Sequence, residues 1–182
     1  PVAERLKLTP RLDLAAVALG LDELEAKPEL GGLAINLSAS SIQLPQFRSE
    51  LHALLKRRPG TSRLWLEVSE AGALAHFDAF RALCLELINV GCQMGIEHFG
   101  RQFSEIGRLH DLGLDYIKVD ASFIRGLEKN TGNQAFLKGL SSIAKGIGLK
   151  VIAEGVTSEA EFAALVEVGF DGATGPGVKE PD

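Results

Sequence analysis

With 182 residues, 46% of them hydrophobic and 24% charged, the chain has the size and composition of a globular domain with one continuous core. A formal net charge of −5 excludes a nucleic-acid polymer as the main partner, because such a partner needs a basic footprint. No apolar run of about 18 residues and no signal peptide occur, so this stretch neither spans nor crosses a membrane.

Pro1 to Lys7 begins without an initiator Met, and a fragment of a longer protein is expected. Residues 10–26 read as a helix, with Leu12, Ala15, Ala16, Leu19 and Leu24 as its apolar stripe. Pro28 and Gly31-Gly32 stop it. Leu33 to Ser38 is an apolar run broken by Asn36 and reads as a buried strand. The next helix carries Phe47, Leu51, Leu54 and Leu55 and ends at Pro59-Gly60. The unit then recurs. Leu64 to Val68 is a strand, followed by a helix with Phe77, Phe80, Leu83, Cys84, Leu87 and Ile88. Two cysteines on or beside a helix, Cys84 and Cys92, read as reduced and cytosolic. Gln93 to Glu97 is a strand, followed by a helix with Phe103, Ile106, Leu109 and Leu112. Leu114 to Asp120 (LDYIKVD) is a strand that leads to a helix with Phe136, Leu140, Ile143 and Ile147. Lys150 to Glu154 is a strand, followed by a helix with Phe162, Leu165 and Val166. Gly169 to Thr174 reads as the last strand.

Six strands alternating with helices predict an α/β fold with a parallel sheet and right-handed crossovers. Asn36, Glu67, Glu97, Lys118, Asp120 and Glu154 all fall at or just past strand C-termini, where a (β/α) barrel gathers its site. An open doubly wound sheet would instead place a glycine-rich turn after its first strand, and no G-x-G-x-x-G opens a helix here. The expected architecture is therefore a TIM-like barrel forming a single domain over 1–182.

Four carboxylates, an amide oxygen and a lysine at one mouth make a hard-oxygen set suited to Mg²⁺, Mn²⁺ or Ca²⁺, and less to Zn²⁺. Lys118 and Asp120 lie two apart, so their side chains share a face; alone, a surface ion pair would look the same. His52, His76, His98 and His110 show no zinc spacing, and only His98 lies at a strand end. Metal held by such carboxylates would support in-line attack on a phosphodiester, with Lys118 activating water or steadying charge. Without metal, Lys118, Asn36 and backbone N–H groups could still bind a polar ligand.

The motifs NLS (36–38), LEVSE (66–70), EHFG (97–100), DYIKVD (115–120) and VIAEGV (151–156) resemble, in order and spacing, those of the EAL domain family. That family comprises cyclic di-GMP phosphodiesterases and degenerate ligand-binding relatives on a (β/α) barrel. The resemblance implies that the first strand, with its metal-binding Glu and a nearby Arg, is missing before Pro1-Val2-Ala3-Glu4, and that the domain is N-terminally truncated. It also implies that Asn36, Glu67, Asp120 and Glu154 match the family's metal or ligand residues, and Lys118 the lysine that assists water. Glu97-His98 replaces two adjacent Asp, Thr157 replaces a Glu, and Thr174-Gly175-Pro176 replaces Gln-Gly-Tyr. These departures imply loss of a bridged two-metal geometry, with Lys118 and Glu67 vestigial in catalysis and Asn36, Glu67, Glu97, Asp120 and Glu154 vestigial as metal ligands. The binding set expected for cyclic di-GMP is Asn36, Glu67, Glu97, Lys118, Asp120, Glu154, Gly155, Gly175 and Pro176, with no cofactor required.

The run from Phe99 to Asp120 and the TGPGV tail at 174–178 look most like the LapD-type receptor. That likeness implies a catalytically silent, homodimeric cytoplasmic domain of an inner-membrane protein. Its partners would be an autoinhibitory linker helix and upstream domains, and its output biofilm adhesion. The alternatives are an active Mg²⁺- or Mn²⁺-dependent phosphodiesterase, with Glu97 and His98 as substitute ligands, or an interaction scaffold that binds no nucleotide.

Overall fold

The computed structural model describes residues 8–178, and the reading of Pro1 to Glu4 lies outside them. The elements alternate in chain order: α1 (Thr9–Ala26), β1 (Leu33–Asn36), α2 (Ala39–Ile42), α3 (Pro45–Leu55), β2 (Leu64–Ser69), α4 (Glu70–Ala75), α5 (Phe77–Leu87), β3 (Gln93–Phe99), β4 (Tyr116–Val119), α6 (Ala121–Ile124), α7 (Thr131–Gly146), β5 (Lys150–Ala153), α8 (Glu159–Val168) and β6 (Gly172–Ala173). The strands are neighbours in the order β1-β2-β3-β4-β5-β6, and the pairs β1/β2, β4/β5 and β5/β6 are parallel. Parallel neighbours require a crossover, and the intervening helices supply it. The expected α/β class with a parallel sheet is therefore what forms. Residues cluster into two compact units: the chain up to Gly95 with Asp111–Leu114, and Ile96–His110 with Asp115 onward.

In the first unit, α1 buries Val17, Gly20, Leu21 and Leu24, the i, i+3, i+4, i+7 face of a helix. The stripe expected from the sequence is corrected here. Leu12 and Leu19 are exposed, as are Ala15 and Ala16, and of that set only Leu24 is in the core. Gly20 explains the choice of face, because a Cβ there would collide with Ile35 and crowd Leu33 of β1. The helix thus lies close on the strand along the side that carries Gly20 between Val17, Leu21 and Leu24. Arg63 holds its C-terminal end, donating to the carbonyls of Leu24, Lys27 and Leu30. On α3, Phe47, Leu51 and Leu55 face inward, and on α5, Phe80, Leu83, Cys84 and Leu87, close to expectation.

In the second unit, α7 buries Leu137, Leu140, Ser141 and Ala144, while Ile143 is exposed. Phe136 instead joins an aromatic cluster, with ring centroids 5.2 Å from Phe103 and 5.4 Å from Phe123. The helix expected after β3 is a 3₁₀ segment, Phe103–Leu109. Gly107 weakens the α-helix there, and the buried pair Ile106 and Leu109 is spaced three apart, which 3₁₀ turns bring to one side. On α8 the buried residues are Glu161, Leu165 and Val168; Phe162 and Val166, expected in the core, are exposed. No helix among the described residues is long and apolar enough to cross a membrane.

Candidate metal centre

The ends of β3, β4 and β5 are tied together by backbone bonds that continue the sheet. Asp120 N–H donates to the Phe99 carbonyl at 3.0 Å, and Glu154 N–H donates to the Val119 carbonyl at 3.0 Å. Three successive parallel strands therefore deliver their last residues to one place. This is the convergence expected at strand C-termini.

His98 has a backbone φ of +55°, uncommon for any residue but glycine. In that conformation its Nδ1 lies 3.0 Å from Glu154 Oε2 and 3.6 Å from Asp120 Oδ2. Its Nε2 lies 3.8 Å from Glu97 Oε2. His98, Asp120 and Glu154 each offer a ligand atom within 4.8 Å of the others. The ring is 58% exposed while the three carboxylates are only 14–19% exposed, so the acids form the floor and the imidazole the rim.

The two acids of the cluster are shifted in opposite directions. Asp120 caps α6: its Oδ1 accepts from the Ser122 hydroxyl and from Ser122 N–H at 2.9 Å. Those bonds, the hydroxyl first, keep its carboxyl below the usual range and fix one oxygen, leaving the other directed to His98. Burial pushes the Glu154 carboxyl up, and Glu97 adds to this; His98 and Lys118 oppose it. A partly desolvated carboxylate beside a second acid is stabilised by an added cation. The donor chemistry, one imidazole nitrogen with two carboxylates, is of a kind that divalent transition metals accept, the two carboxylates suiting Mn²⁺ and the imidazole shifting the set toward softer ions.

The other expected residues fall as follows. Asn36 and Glu67 stand opposite each other in the β1/β2 register, Asn36 exposed and Glu67 2% exposed. Lys118 is half-buried on β4, and its charge acts on Glu154. Gly155 has a φ of +67°, and a Cβ there would sit 2.7 Å from Ala121 Cβ. Thr174, Gly175 and Gly177 pack on the loop after β5: Val156 N–H donates to the Thr174 carbonyl at 3.0 Å, and Gly177 N–H donates to the Val156 carbonyl at 2.8 Å. Pro176 lies between these two contacts. The loop that carries Thr157 is anchored by a buried carboxylate the sequence reading passed over. Glu161 Oε2 accepts from Thr157 N–H at 2.7 Å and from its hydroxyl at 2.9 Å. A signal for it was present, since Ser158 and Glu161 stand three apart ahead of an apolar run, as in a capping box.

A family profile described as the EAL domain matches residues 1–181. Among curated proteins, the cyclic di-GMP phosphodiesterase PdeF of Escherichia coli is 30% identical over 175 residues, covering 94% of this chain and 23% of PdeF. Further relatives carry the phosphodiesterase name. The chain spans about a quarter of the length of the curated relatives it matches. Among solved structures, the FimX EAL domain of Pseudomonas aeruginosa bound to c-di-GMP matches with a TM-score of 0.85 at 27% identity, over 100% of this chain and 74% of that one. A manganese/cyclic di-GMP complex of Klebsiella pneumoniae BlrP1 matches with a TM-score of 0.79 at 27% identity, over 92% of this chain and 43% of that one. A LapD chain of Vibrio cholerae matches at 24% identity, which shows the fold alone.

These findings correct the expectation of a domain without activity. Three relatives matched along most of the chain are named as phosphodiesterases. The replacement of an acidic pair by Glu97-His98 leaves the cluster with three donor groups. The physical reason is that an imidazole nitrogen is itself a metal ligand.

Proposed function

This chain belongs to the EAL domain family, and from that premise we propose that it binds cyclic di-GMP and opens it as a metal-dependent phosphodiesterase. The observation that carries the reading is the convergence of His98, Asp120 and Glu154 within 4.8 Å. These three residues would hold a divalent cation, with Glu97 beside His98. Such a cation, when bound, polarises a phosphoryl oxygen and lowers the pKa of water. In hydrolysis a water oxygen bonds to phosphorus, one P–O ester bond breaks, and the leaving sugar oxygen takes a proton. Lys118, whose ammonium acts on Glu154, would orient that water and offset charge growing on the phosphoryl oxygens. Asp120, whose carboxyl Ser122 holds below its usual range, is an acceptor. Asn36, Glu67, Gly155, Gly175 and Pro176 enter the reading as nucleotide contacts.

The test is to incubate the full-length protein with labelled cyclic di-GMP and Mn²⁺ and to identify the nucleotide in solution and on the protein. The linear dinucleotide is expected, with turnover lost in Lys118→Met. Intact cyclic nucleotide in both fractions would overturn the reading.

A further inference from the structure

Glu161 takes no part in the cluster above, yet it is only 5% exposed. Its carboxylate reaches the turn after α6, the helix that Asp120 caps, and the loop that follows Glu154. Oε1 accepts from Gly126 N–H at 2.9 Å, and Oε2 accepts from Thr157 N–H at 2.7 Å and the Thr157 hydroxyl at 2.9 Å. Gly126 lies six residues beyond Asp120, and Thr157 three residues beyond Glu154. We propose that Glu161 is a positioning residue, a strut that joins the two loops and so sets the spacing of Asp120 and Glu154. Its effect on turnover rests on the phosphodiesterase reading; its effect on the loops does not.

The plainer account is a helix cap. Ser158 Oγ accepts from Glu161 N–H at 3.2 Å, which is half of a capping box. In the ordinary box the glutamate returns to the N–H of the capping serine itself. Here the carboxylate also feels the Ser158 N–H, as in the ordinary box, but its hydrogen bonds run further, to Thr157 and sideways to Gly126, 35 residues away in the chain. Starting α8 requires neither bond. Burial alone would push this carboxyl up, but the donors from Thr157 and Gly126 outweigh it and the group ends below the usual carboxylate range. An ionised, buried carboxylate accepting three hydrogen bonds makes a stiff connection, because charge-assisted bonds are the strong ones. Displacement at either loop reaches the cluster directly: Gly155 rests against Ala121, the residue that follows Asp120.

Glu161→Gln isolates the point, since the amide keeps the shape but turns an NH₂ toward one of the donors. In the metal-free, full-length protein, the Gly126 and Thr157 amides are expected to exchange hydrogen at least about tenfold faster, as for buried donors losing a charged acceptor. Amides of β5 should stay protected, and the ¹³C resonance of the Glu154 carboxyl should move. Mn²⁺ affinity, read by electron paramagnetic resonance, should fall about tenfold, the usual cost of a lost outer-shell partner. Thr157→Val, which removes only the hydroxyl, should give a smaller change in the same direction. Wild-type exchange at both amides in Glu161→Gln would overturn the strut. Faster exchange with an unmoved Glu154 resonance would reduce Glu161 to a cap and overturn the positioning role. If the wild type neither binds Mn²⁺ nor cleaves cyclic di-GMP, the phosphodiesterase reading fails while exchange and the Glu154 resonance still decide the strut.

Discussion

Replacing Gly175 with Ala tests the packing that builds the rim beside the cluster. Gly175 sits at a φ of +138°, a conformation that costs a side-chain-bearing residue about 1–3 kcal/mol. A Cβ would fall on the backbone N and O of Val156, with the Gly155 carbonyl carbon 2.9 Å away. Backbone atoms cannot swing aside as the end of a side chain can, so the tail must lift. Lifting breaks the Val156-to-Thr174 and Gly177-to-Val156 bonds of 3.0 and 2.8 Å. At roughly 1 kcal/mol net per bond, that adds about 2 kcal/mol. The less flexible unfolded chain returns about 0.4–1 kcal/mol. The net loss is about 3 kcal/mol, which for a chain of this size lowers Tm by roughly 6–12 °C. Thermal unfolding by circular dichroism measures it, and hydrogen exchange at Val156 and Gly177 locates it. A Tm within about 1 °C of wild type, with Val156 still protected, would refute the packing argument and leave nucleotide contact as the reason for Gly175.

Three further outcomes follow from the same geometry. Leu21→Ala should cost about 2–5 kcal/mol in urea unfolding, whereas Leu19→Ala on the same helix should change stability by no more than about 0.5 kcal/mol; equal costs would mean that α1 packs on the other face. His98→Ala should weaken Mn²⁺ binding, by calorimetric titration, by more than the roughly 10–100-fold that a lost outer-shell partner costs, and unchanged affinity would remove the imidazole from the ligand set. Because the Glu161 carboxyl is held below its ordinary range, the unfolded chain binds the proton first as pH falls. Its stabilisation is therefore complete above the ordinary carboxylate pKa of about 4.3 and is lost as pH drops through that value toward the folded one. Urea midpoints followed down from neutral pH should fall less steeply in Glu161→Gln than in wild type, and parallel curves would sink this assignment.

What the sequence by itself determined is the alternation of strands with helices and the place of the polar residues at strand ends. Both are local properties. A short β-rich run such as Tyr116 to Val119 and the step to a polar residue at Asp120 depend on neighbours within a few positions. The helix faces were only partly legible. On α1, several faces carry Leu or Ala, and the choice among them was made by the close approach of Gly20 to Ile35, a contact fifteen residues apart in the chain. The same holds for α8, where the reading favoured Phe162 and Val166 and the structure buries Glu161. A carboxylate reads as surface by composition; only tertiary structure brings Gly126 and Thr157 to it and makes its burial affordable. His98 shows the limit most clearly. As a residue type beside Glu97 it looked like a departure that empties a metal site. Its positive φ and the backbone bonds that join the ends of β3, β4 and β5 bring its ring beside Asp120 and Glu154, because where a side-chain atom arrives in space is decided by the tertiary structure and not by residue type.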